Sequence, residues 1–65
     1  MFIYPRIRDL REDRDLKQKD IANMLNLQLT VYQRYERGER EPDCSTLIRL
    51  SRYFGVSIDY ILCND

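Results

Sequence analysis

Gln18-Lys19-Asp20-Ile21-Ala22-Asn23-Met24-Leu25-Asn26-Leu27-Gln28-Leu29-Thr30-Val31-Tyr32-Gln33-Arg34-Tyr35-Glu36-Arg37-Gly38 is the stretch on which the fold turns. Ile21, Ala22 and Leu25 recur at helical spacing, so residues 18–25 read as one amphipathic helix. Asn26 follows, and asparagine tolerates the left-handed backbone that stops a helix. Tyr32 and Tyr35 lie three apart in a second segment, residues 28–37, which ends at Gly38. Only Asn26 and Leu27 separate the two helices. They must therefore cross steeply to bury Ala22, Leu25 and Tyr32 together, and the small Ala22 allows a close approach. The pattern is that of a helix-turn-helix.

Working outward, Ile7, Leu10 and the aliphatic part of Arg14 repeat at helical spacing after Pro5, which predicts a helix over about residues 6–14. Glu41-Pro42 forces an extended approach, Asp43 can cap, and Leu47, Leu50, Ser51 and Phe54 line one face of a helix ending at Gly55. Ser57 can cap a last helix, with Asp59 in its first turn and Ile58, Ile61 and Leu62 facing inward. No strand-length alternation or internal repeat is present, and the last two or three residues read as a tail. The expectation is a single all-α domain over residues 1–65, a five-helix bundle with the helix-turn-helix motif at about 18–37. Its core would comprise Ile7, Leu10, Ile21, Ala22, Leu25, Tyr32, Leu47, Leu50, Phe54, Ile58, Ile61 and Leu62.

Bulk composition mostly excludes. A 65-residue chain leaves room for one thin core and no buried catalytic cavity. There is no histidine, so imidazole-based triads, general bases and metal sites are absent, and no glycine loop suited to cradling phosphate appears. Cys44 and Cys63 are 19 residues apart without a CxxC spacing, which suggests neither zinc nor a disulfide framework; they read as buried or incidental thiols. No apolar run approaches the roughly 20 residues of a membrane span, and Met1-Phe2-Ile3-Tyr4-Pro5 is too short for a signal peptide. The expectations are a cytoplasmic protein, not an enzyme, with no cofactor, metal, membrane partner or small-molecule ligand.

The outward face of the second motif helix carries Gln28, Leu29, Thr30, Gln33, Arg34 and Arg37. Solvated helix faces are dominated by Glu and Lys, whereas amides, a hydroxyl and arginine match base edges and phosphates. The Arg6, Arg8, Arg11, Arg14, Lys17 and Lys19 run is interleaved with Asp9, Glu12, Asp13 and Asp15 and reads as a solvated helix with local ion pairs.

Four segments in order, Ile7-Arg8-Asp9-Leu10-Arg11, Leu16-Lys17-Gln18-Lys19-Asp20-Ile21-Ala22, Tyr35-Glu36-Arg37-Gly38-Glu39-Arg40-Glu41-Pro42 and Phe54-Gly55-Val56-Ser57-Ile58-Asp59-Tyr60-Ile61-Leu62, resemble the Cro/repressor-type, or XRE-like, helix-turn-helix domains. The resemblance covers residues 7–62. It implies a lambda-repressor-like DNA-binding domain whose third helix enters the DNA major groove. It further implies base contacts from Gln28, at the helix start, and from Leu29, Thr30, Gln33 and Arg34, and phosphate contacts from Gln18 and from Arg40 in the following loop. Arg11 and Glu36 match a pair that bridges helix one to helix three, and Val56, Ser57, Ile58 and Tyr60 match a dimer surface.

The sequence also departs from that family. Lys17 replaces the usual Ser or Thr before helix two and cannot cap, so it sets a cation at the positive end of the helix dipole, which a bound phosphate would relieve. Gln28 replaces the cap of helix three, and Leu29 stands at a position often polar, where it could meet a thymine methyl group.

Eleven basic and eleven acidic residues give a formal net charge of zero. Neutrality argues at first against nucleic acid. If Glu36 is committed to Arg11, however, the face bearing Lys17, Lys19, Arg34, Arg37 and Arg40 keeps a local positive excess, which makes Lys17, Lys19 and Arg37 further phosphate candidates. The leading expectation is sequence-specific binding of double-stranded DNA by a small homodimeric transcriptional regulator of repressor type. The alternative is a protein-interaction module or antitoxin-like regulator with weak DNA binding.

Overall fold

The computed structural model describes residues 4–64, and among them every regular element is helical. The five helices are α1 (Pro5–Asp13), α2 (Gln18–Met24), α3 (Leu29–Arg37), α4 (Cys44–Phe54) and α5 (Ile58–Ile61). The all-α five-helix expectation holds, with each predicted helix shortened or shifted by about one residue. The joint between α2 and α3 accordingly runs from 25 to 28, two residues longer than the sequence suggested.

One closing device recurs at all five helix ends. In each, a residue in the left-handed region lets the next backbone N–H donate to a carbonyl five positions back, which satisfies a carbonyl the helix leaves open. The left-handed residues are Asp15, Asn26, Gly38, Gly55 and Cys63, at φ of 55°, 58°, 75°, 69° and 59°. The closing bonds run Leu16 to Arg11 (3.2 Å), Leu27 to Ala22 (2.8 Å), Glu39 to Arg34 (2.9 Å), Val56 to Ser51 (3.0 Å) and Asn64 to Asp59 (2.9 Å). Asn26, Gly38 and Gly55 were legible as stops from residue type; Asp15 and Cys63 were not.

The helices enclose a core of Tyr4, Ile7, Leu10, Ile21, Ala22, Leu25, Tyr32, Tyr35, Leu47, Leu50, Phe54 and Ile61. Two expected members, Ile58 and Leu62, are only half-buried, because α5 is a four-residue helix with room to bury one side fully, and Ile61 takes it. Tyr4 and Tyr35 replace them. Tyr4 precedes α1, packs its ring inward and donates its hydroxyl to Glu41 at 2.8 Å; burial, then that carboxylate, push its pKa up to about 12. Tyr35 stacks edge-on against Tyr32, with ring centroids 6.5 Å apart.

The arginine-rich first helix is not simply solvated. Arg8 pairs with Glu12 one turn on, as expected, but Arg6 donates to the Tyr60 carbonyl at 2.8 Å with its guanidinium 4.3 Å over the Tyr60 ring. Arg14 donates to the Phe54 carbonyl at 2.8 Å and lies 4.9 Å from the Phe54 ring centre. These two side chains bind α1 to the ends of α5 and α4, using long apolar stems and a planar head that reaches a carbonyl. Both cysteines are free and exposed, not buried. Asp65, at the end of the expected tail, and Met1, Phe2 and Ile3 lie outside the described residues.

Candidate nucleic-acid interface

α3 is held by its inner face and offers its outer one. Tyr32 is fully buried and Tyr35 nearly so, which fixes the helix rotation and leaves Leu29, Thr30, Arg34 and Arg37 exposed, with Gln33 half-buried at the edge of the face. Leu29 keeps 41% of its surface exposed, as Ile48 and Tyr53 do at 38% and 47% on α4. Gln28 precedes α3 with extended backbone and forms no side-chain cap. Lys17 likewise precedes α2 without capping, although its own N–H is held by the Asp20 carboxylate at 2.8 Å. The first amides of both motif helices thus lack a side-chain acceptor from the preceding residue, where an anion is favoured by the dipole.

Beneath this face lies one polar cluster. Arg11 Nε and Nη2 donate to the two Glu36 carboxylate oxygens at 2.7 and 3.2 Å, a bidentate pair whose side chains are only 12% and 5% exposed. The Tyr32 hydroxyl and Gln18 Nε2, the latter at 2.9 Å, also donate to Glu36. Burial alone would raise the Glu36 carboxyl, but these donors, Arg11 foremost, outweigh it and hold the group below its ordinary value. Burial, then the same carboxylate, push the Tyr32 phenol up, so it stays a neutral donor. Arg11 also donates to the Leu16 carbonyl at 2.9 Å, which ties the end of α1 to the approach to α2.

The remaining expected phosphate residues sit around the rim. Lys17, Lys19 and Arg40 are exposed, as is Arg34, and none of the four forms an ion pair among the described residues. Arg37 pairs with Glu39 at 3.2 Å, but with both side chains more than half exposed this contact contributes at most about 1 kcal/mol and is open to exchange. Gln18 is the exception. It is half-buried and hydrogen-bonded at both ends of its amide, to Glu36 and to Gln33. Val56, Ile58 and Tyr60 are half-buried around α5, and the exposed Ser57 caps that helix by accepting from the Tyr60 N–H at 3.0 Å.

Residue type alone did not reveal Arg49, which reaches from α4 to the Leu25 carbonyl at 3.1 Å and braces the joint between α2 and α3. Its only signal would have been an arginine on a helix with few acids nearby.

Comparison with known proteins agrees with this geometry. The helix-turn-helix family model matches residues 7–61. The phage repressor RstR of Vibrio cholerae is 40% identical over 53 residues, spanning 82% of this chain and 48% of its own length. The transcriptional regulator ImmR of Bacillus subtilis is 37% identical over all of this chain and 51% of its own length. The chain therefore spans about half the length of the curated relatives it matches. Among solved structures, the P22 c2 repressor bound to a synthetic operator superposes with a TM-score of 0.86 at 29% identity, covering all of this chain and 98% of that one. A Listeria innocua transcriptional regulator gives 0.83 at 39% identity, over 86% of this chain and 52% of that one. The outward face of α3 and the match over residues 7–61 place this chain in the helix-turn-helix family.

Proposed function

We propose that the protein binds double-stranded DNA sequence-specifically and regulates transcription, as a dimer on a two-fold site. The observation that carries this reading is the outward face of α3, where a hydroxyl, an arginine and a leucine are exposed together with the half-buried Gln33 amide at their edge. On this reading Leu29, Thr30, Gln33 and Arg34 meet base edges, Leu29 through a thymine methyl and Arg34 through the guanine acceptors. Gln28 stands at the groove edge. Lys17, Lys19, Arg37 and Arg40 meet phosphates, and a phosphate beside Lys17 relieves the repulsion between that side chain and the α2 dipole.

A domain with no net charge binds non-specific DNA weakly, so affinity must come from two copies and from direct contacts. The half-buried Val56, Ile58 and Tyr60, with Ser57, form the surface we assign to self-association, which would place two α3 helices in successive major grooves about 34 Å apart.

Selection of bound fragments from random duplexes, followed by a salt titration on the enriched sequence, tests the reading. The expected result is a two-fold motif and an affinity that falls steeply with salt. Absence of binding at about 50 mM salt would overturn it.

A further inference from the structure

Family resemblance assigns Gln18 to a DNA phosphate, yet both ends of its amide are engaged within the protein. Its Nε2 donates to Glu36 Oε1 at 2.9 Å, and its Oε1 accepts from Gln33 Nε2 at 3.0 Å. The direction of this relay is dictated by chemistry. Glu36 is ionised and can only accept, so the Gln18 atom facing it must be the N–H group. The Gln18 carbonyl then faces Gln33, which must turn its own amino group inward. Arg11 holds the other end of the relay through its bidentate grip on Glu36.

Gln33 is left with its Oε1 acceptor and one remaining Nε2 hydrogen. A neighbouring acceptor and donor are the complement of adenine, which offers the N6 amino group and N7. Guanine offers two acceptors there, and an amide free to turn could donate to both. A locked amide cannot.

We infer that Gln33 reads an adenine, and that Gln18, Glu36 and Arg11 are positioning residues that lock its amide in the adenine-reading orientation. This rests on the DNA-binding reading above and gives Gln18 a positioning role that the resemblance does not assign to it.

The test measures binding of the whole chain and its Gln33→Ala, Gln18→Ala, Gln18→Met and double Gln18→Ala/Gln33→Ala variants. The probes are the duplex selected by the unaltered protein and its single-base variants at each position. Gln33→Ala should lower the preference for adenine over guanine at one position per half-site by about tenfold. Gln18→Ala should weaken that preference at the same position, leave the rest of the motif intact, and add nothing once Gln33 is alanine. Gln18→Met preserves side-chain volume and should behave as Gln18→Ala, which separates lost orientation from lost packing; thermal melts verify that the variants are folded.

Equal weakening on every sequence by the Gln18 variants, additive with Gln33→Ala, would make Gln18 a phosphate contact and overturn the inference. So would a motif unchanged in Gln33→Ala, although DNA binding itself would then stand. Failure of the unaltered protein to select any motif would instead remove the reading on which the inference rests.

Discussion

The helices on the two sides of the molecule begin differently. α4 and α5 are finished by their own side chains: Asp43 accepts the Thr46 N–H at 2.9 Å and Ser57 accepts the Tyr60 N–H at 3.0 Å. α2 and α3 begin at Lys17 and Gln28, neither of which caps. The capped pair builds the scaffold and lies away from the proposed DNA surface. The uncapped pair forms the motif, and its open amides border the proposed DNA surface. A side-chain cap is worth about 1 kcal/mol to a helix, so a domain this small forgoes a measurable fraction of its stability at the motif. In the shared interior, the buried Arg11–Glu36 ion pair lies on the motif side.

The largest expected effect breaks the motif side from within. Arg11→Ala leaves the Glu36 carboxylate buried beside Tyr32 and Gln18 without its counter-ion, at a cost of about 3–5 kcal/mol, comparable with the whole stability of a 65-residue domain. Urea denaturation at neutral pH reads the loss. The pH dependence should change as well. In the unaltered protein the Glu36 pKa is lowered on folding, so its contribution is present above the ordinary value of 4.5 and is lost as pH falls through the folded-state value. Without Arg11 the foremost donor opposing burial is gone and the folded pKa should rise relative to the parent's, so acidification should cost the variant less stability than the parent.

Next in size, Arg34→Ala should relax one position per half-site by about 1–3 kcal/mol of discrimination, measured on single-base variants of the selected duplex. A loss shared by all sequences would make Arg34 a phosphate contact.

Exchanging the helix starts sharpens the comparison. Ser57→Ala should destabilise by about 1 kcal/mol, while Gln28→Ser should stabilise by about 0.5 kcal/mol, both read from thermal or urea unfolding. Equal losses from the two changes would mean that α3 is held at its start by something other than a cap.

The smallest effects concern the helix ends. Gly55 has a φ of +69° and open space where a Cβ would stand, so Gly55→Ala carries backbone strain alone, about 1 kcal/mol. Asn26→Gly should relieve similar strain and gain about 0.5 kcal/mol by thermal unfolding.

Most of the architecture was legible in the chain, for local reasons. Helical spacing of Ile21, Ala22 and Leu25, stops at Asn26, Gly38 and Gly55, and caps at Asp43 and Ser57 act within a turn of the residue concerned, so they can be read without knowing what lies across the core. Tyr4 escaped notice because it lies ahead of the first helix, and both the core it packs into and Glu41, which accepts its hydroxyl 37 positions away, are distant in sequence. Arg6 and Arg14 looked solvated because the acids beside them in sequence offered partners, whereas the carbonyls they use lie 54 and 40 residues on.

The candidate site divides along the same line. That α3 turns amides, a hydroxyl and arginines outward follows from helix periodicity, since burying Tyr32 and Tyr35 commits the opposite face to solvent. Which of those groups is free to meet a ligand does not follow. Gln18 and Gln33 are 15 positions apart, and Gln18 and Glu36 are 18 apart. Their shared hydrogen bonds exist only because the fold packs α2 against α3 and sets Gln18 between Glu36 and Gln33. Periodicity is a property of each helix and is written in its residues; the direction of an amide depends on the donor or acceptor that the fold sets against it.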